Sequence, residues 1–201
     1  MHYHYEKKPE EKEFKSFIDF FRSDYINNMP EDFRKVYSDR ALYTNFINGI
    51  MKRYGKKGEM KYYPEYYTID HTFWTVSKDN YESVNLYKWN MVAAIEHEND
   101  WKDWTYEVAK LDFINCPLRV VIGYMDNSKR EKEFDIIEKQ RMNLKNLGNN
   151  GEFGIIMMNR DLKWIGRGII DNMDEPIKKS IFDKLDMRCY LLDANKTSKL
   201  G

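Results

Sequence analysis

Two short runs are apolar almost without a break, Met91-Val92-Ala93-Ala94-Ile95 and Leu118-Arg119-Val120-Val121-Ile122-Gly123-Tyr124. A strand with one wet face alternates apolar and polar residues, so unbroken runs of this length predict strands covered on both faces. Neither run approaches the roughly 18 apolar residues of a membrane span, and no stretch in the chain does, so no membrane partner is expected. Between the two runs, Trp101, Trp104, Val108 and Leu111 share one helical face. Asn99 or Asp100 can cap that helix and Pro117 follows it, which predicts a helix from Trp101 to about Asn115. Strand, helix and strand in this order predict the middle of a sheet with helices packed on it.

The flanking sequence extends the pattern. Phe14, Phe17, Ile18 and Phe21 predict a helix over Glu13–Tyr25 on the outside of the core, and Phe33 through Tyr54 predict a second helix from Pro30, stopped by Gly55. From Met60 to Val76 the residues are β-formers, and with an Asp79-Asn80 turn they predict a hairpin with the strand Val84–Glu98. A helix over Ser128–Leu147 should turn Phe134, Ile137, Leu144 and Leu147 inward. After it come strands Phe153–Met158 and Lys163–Ile170, a helix over Asp174–Leu185 and a strand Arg188–Leu192. The fold class is therefore α/β, a mixed central sheet flanked by helices. One domain should span residues 13–193, with flexible ends over 1–12 and 194–201.

Charge narrows the partners. Lys plus Arg and Asp plus Glu number 33 each, so no net positive field draws in a polyanion at long range. Any nucleic-acid contact must be local, and the candidate is Lys52, Arg53, Lys56 and Lys57, a stretch that also reads as an ordinary solvated helix end. Cys116 and Cys189 stand far apart in apolar surroundings and read as small core residues, which excludes a structural zinc site. Without an apolar export segment, the expected compartment is the cytoplasm.

Chemistry concentrates where the first apolar run ends, at Ile95-Glu96-His97-Glu98. Period two places Glu96 and Glu98 on one face, and carboxylates beside an apolar core need a pairing partner or a cation. Mg²⁺ or Mn²⁺ fits, because such ions take oxygen ligands and leave room for water and phosphate. Asp70 ends an apolar run on the preceding strand and approaches Glu96 if the two strands pair. Glu65 is an accessory carboxylate or part of a Pro64-Glu65 turn. Lys110 lies off the apolar face of its helix, and Glu107 stands three residues earlier, where the two also make an ordinary surface pair. His71 and His97 neighbour the carboxylates, but alternation points them to the opposite face, toward packing or hydrogen bonding.

An aspartate on one strand, an apolar run ending in Glu-x-Glu on the next, then a helix and a buried strand resembles the PD-(D/E)xK nuclease superfamily. The likeness covers about Asp70 to Tyr124, with the preceding helix as a further element. It implies a restriction-endonuclease-like core and a magnesium-dependent endonuclease of a restriction or repair system, with Asp70 and Glu96 binding metal. Glu98 stands where the family usually has lysine, and some members supply that lysine from the following helix, here Lys110. The implied partner is nucleic acid, DNA before RNA, and double-strand cutting would favour a homodimer. The missing lysine equally fits a binding or regulatory module that keeps the fold without turnover. A carboxylate-pair glycosidase is a third reading, which a small domain without long sugar-binding loops fits poorly.

Overall fold

The computed structural model describes residues 13–76, 89–99, 104–147, 151–159 and 175–200. Its centre is the pair of apolar runs. They form β3 (Trp89–His97) and β4 (Leu118–Met125), parallel neighbours joined through α4 (Trp104–Asp112). Every residue of β4 is buried. Arg119, the charged residue in the run, lies with its guanidinium 5.0 Å from the centre of the Phe153 ring.

Around this pair the sheet grows in chain order. β1 (Lys61–Tyr66) pairs antiparallel with β2 (Ile69–Val76), and β2 antiparallel with β3. β5 (Glu152–Asn159) lies parallel to β4, and β6 (Arg188–Leu192) and β7 (Thr197–Leu200) close the far edge antiparallel. The described residues thus make a seven-stranded mixed sheet of α/β class.

One face is covered by α1 (Glu13–Asn27), α2 (Phe33–Ser38), α3 (Arg40–Lys57) and α6 (Glu175–Lys184). The other is covered by α4 and α5 (Glu133–Asn143), the latter preceded by a 3-10 helix over Asn127–Lys132. Alternation along β4 sorts the two cores, with Val120, Ile122 and Tyr124 in the first and Val121 and Met125 in the second.

Several elements depart from the sequence reading. The β-forming stretch Met60–Val76 is itself a hairpin of two strands, with its turn at Tyr67-Thr68. The long second helix is divided at Asp39, whose side chain accepts the Leu42 N–H at 3.0 Å and so caps α3. Gly55 does not stop α3, which runs on to Lys57. A side chain there would meet Tyr62 and Phe73, so the glycine permits close packing of helix on sheet.

α1 packs on the core as its periodicity implies, with Phe14, Phe17, Ile18, Phe21 and Tyr25 buried and Lys15, Ser16 and Asp19 exposed. Phe134 is 45% exposed rather than inward, and residues 197–200, placed by composition in a tail, form β7. The expected strand Lys163–Ile170, the Asp79-Asn80 turn and Trp101 lie outside the described residues.

Candidate functional site

Strand register sets the geometry. His71 lies opposite Ile95, which brings Asp70 to the end of β2 beside Glu96. The two acids are cross-linked through backbone: the Asp70 N–H donates to Glu96 Oε2 at 3.3 Å, and the His97 N–H donates to Asp70 Oδ2 at 2.9 Å. Glu96 faces α4 and is only 1% exposed. Lys110 comes down from α4 to meet it, with Nζ 2.7 Å from Glu96 Oε1. The same ammonium pairs with Glu107 and donates to the Thr68 carbonyl at 2.8 Å. Four expected site residues, Asp70, Glu96, Glu107 and Lys110, are therefore gathered.

Glu98 departs from the shared face. β3 ends at His97, so period two no longer applies, and the Glu98 carboxylate lies 3.7 Å from the guanidinium of Arg40 at the start of α3. Arg40, Thr44, Glu65, Asp70, Glu98 and Glu107 help line a cleft of about 310 Å³. His71 and His97 also line it, whereas Glu96 is buried behind Asp70, whose backbone N–H it accepts. The sequence reading missed Arg40, which carries no local signal, because only the packing of α3 against the sheet end brings it there.

The histidines are held on the α3 side, as alternation implied. His71 Nδ1 is hydrogen-bonded to the Tyr62 hydroxyl at 2.9 Å, and His97 Nε2 to the Tyr124 hydroxyl at 2.8 Å. Tyr124 donates onward to Tyr43, whose hydroxyl is 3.0 Å from that of Tyr25. Burial lowers His71 to about 4 against a pull upward from Asp70, and lowers His97 to about 3, so both rings are neutral at pH 7.

The carboxylates experience the opposite pressure. Burial pushes Glu96 up to about 8; Lys110 opposes that rise, while Asp70 and Glu107 add to it. Burial also works against the Lys110 ammonium, but Glu107 and Glu96 outweigh it and hold the lysine charged.

Four carboxylates (Glu65, Asp70, Glu98 and Glu107) line the cleft with Arg40, and Glu96 and Lys110 form a pair next to Asp70 and Glu107. Among the described residues no group of three or more His, Cys, Asp or Glu is gathered tightly enough to cage a metal ion. Magnesium does not require a cage, since it is bound through one or two carboxylates and completed by water and phosphate. Of the two expected ligands, Asp70 lines the cleft, whereas Glu96 is buried with one oxygen accepting the Asp70 N–H and the other paired with Lys110.

The basic stretch lies apart from the site. Arg40, Thr44 and Asn48 of α3 line the cleft, whereas Lys52, Arg53, Lys56 and Lys57 occupy the opposite end of that helix. Arg53 is paired with Asp24 at 2.8 Å, and the Lys57 ammonium sits 5.3 Å from the centre of the Phe20 ring. Lys52 and Lys56 are exposed. No helix among the described residues is long and apolar enough to cross a membrane. No family model, curated protein or solved structure matches the chain.

Proposed function

We propose that the chain is a metal-dependent phosphodiester hydrolase acting on nucleic acid, with Mg²⁺ or Mn²⁺ held by Asp70 and Glu96. The observation that carries this reading is the ion pair of Lys110 with Glu96. A lysine from the helix after the Glu-x-Glu strand reaches the buried glutamate, as the nuclease resemblance implies. The order α3, β1, β2, β3, α4, β4, with β3 and β4 parallel, supports the same reading.

A bound metal would supply Lewis acidity toward a phosphoryl oxygen and lower the pKa of a coordinated water. The protein's own groups divide the remaining work. Asp70 presents a carboxylate to the cleft, oriented by the His97 N–H. Lys110 has Glu96, Glu107 and the Thr68 carbonyl around its three N–H bonds, so it positions Glu96 rather than activating water. Glu98 lines the open side and is the group placed to accept a proton from water, and Arg40 beside it is the cation available to a phosphate.

The burial of Glu96 also favours a second reading, a nuclease-like module that binds without turnover. Titration calorimetry with Mg²⁺ and Mn²⁺ on wild type and Asp70→Ala, followed by plasmid nicking, separates the two. Metal binding lost in the variant, with nicking by wild type alone, is expected. A wild type that neither binds metal nor nicks would establish the non-catalytic module.

A further inference from the structure

The β1–β2 turn is the strained part of the site. Tyr66 pairs with Ile69, which leaves Tyr67 and Thr68 as a two-residue connection with φ of 49° and 66°. Positive φ at both positions is type I′ geometry, which favours Asn-Gly. Here an aromatic and a β-branched residue fill it, residue types for which left-handed backbone is costly. The turn is held from two sides. Lys110 ties the Thr68 carbonyl to the Glu96 site, and the Tyr66 ring packs edge-on against Tyr67 (4.7 Å, 80°) and Trp74 (5.2 Å, 78°).

The outcome of this strain is a Tyr67 side chain left 80% exposed, one residue from the carbonyl that Lys110 anchors. Folding alone does not reward a costly backbone that holds a large ring in water. Strain of this kind collects at ligand sites.

We infer that Tyr67 is a stacking platform for an unpaired nucleobase, and that the strand delivered to Asp70 and Glu96 is single-stranded or locally unpaired. The inference rests on the phosphodiesterase reading and specifies its substrate class. Two further observations support it. The cleft, at about 310 Å³ and lined by Asp70, lies at the small-ligand end of pocket sizes, a size that admits a single nucleotide. The chain is also electrically balanced, 33 basic against 33 acidic residues, and lacks the field that binds duplex backbones. Stacking on an aromatic ring provides short-range affinity that needs no such field.

The test is fluorescence anisotropy with labelled oligothymidylate, oligouridylate and a blunt duplex of equal length, in calcium in place of magnesium. Wild type, Tyr67→Ala and Tyr67→Trp are compared, with sedimentation velocity on each. Single strands should bind in preference to duplex, weaken about tenfold in Tyr67→Ala and recover in Tyr67→Trp. Single-strand binding unchanged in Tyr67→Ala, or a preference for duplex, overturns the stacking role and leaves the phosphodiesterase reading in place. Loss of self-association in Tyr67→Ala without loss of oligonucleotide binding assigns the ring to a second copy of the chain and overturns the proposal. No nucleic-acid binding by wild type removes both the proposal and the function it rests on.

Discussion

At the scale of single residues, Lys110 and Glu96 form the critical pair. Glu96 is 1% exposed, and the Lys110 ammonium is the nearest opposing charge. Removing one partner of a buried pair leaves an uncompensated charge, whereas removing both costs much less. Above about pH 8, where Glu96 is ionised, Lys110→Met should therefore lose about 3 kcal/mol of stability in urea titration, and Glu96→Gln with Lys110→Met should recover most of it. Equal stability of Lys110→Met and wild type would show that other groups neutralise Glu96. Both residues were legible in the sequence, Glu96 as an acid ending an apolar run and Lys110 as a cation off its helix's apolar face. The partnership itself was not, because it depends on α4 crossing back over the end of β3.

Among the elements, the β1–β2 hairpin shows where local reading fails. Its turn residues, Tyr67 and Thr68, are β-formers, so propensity merged the two strands into one. Sequence rules find type I′ turns through glycine and asparagine, and this turn has neither. Replacing Tyr67-Thr68 by Asn-Gly should relieve left-handed strain and raise stability by roughly 1–2 kcal/mol, read as a shift of the urea midpoint at constant slope. A lower midpoint would mean that the Tyr66–Tyr67 contact outweighs the backbone cost. The division of α2 from α3 was hidden for a related reason. The apolar periodicity continues across Asp39, and only the capping bond to Leu42 marks the break.

For the whole molecule, stability depends on pH through groups buried at the sheet end. His71 and His97 fall to about 4 and 3 from 6.5, so between those limits the unfolded chain binds more protons. Their contribution is complete above about pH 6.5 and is lost on acidification, at about 1.4 kcal/mol per pH unit for each group. Glu96 acts in the opposite direction. Its value of about 8 exceeds the ordinary 4.5, so its contribution is complete below about 4.5 and is lost as pH rises through 8. Two bases outweigh one acid between pH 4.5 and 6.5, and the acid acts alone from 6.5 to 8. Thermal melts in EDTA should therefore peak near pH 6.5 and fall on both sides. A melting temperature that rises steadily on acidification to pH 4.5 would contradict burial of the two rings as neutral bases.

The sequence by itself determined the α/β class, the buried pair β3 and β4, the helix between them and the acids at the strand ends. Apolar runs and helical periodicity are properties of neighbouring residues, and they survive without knowledge of the fold. Tertiary structure decided the rest. Packing set where α1 sits on the sheet, because Phe14 lies where Gly154 of β5 leaves room: a Cβ on that glycine would come within 2.1 Å of the Phe14 ring. Packing also turned Glu98 toward Arg40 and away from Glu96, and it placed Lys110 over Glu96 while tying the strained Tyr67-Thr68 turn to the same site. Each of these is a contact between elements distant in sequence, set by sheet register and helix crossing, and no local pattern of residues encodes such distances.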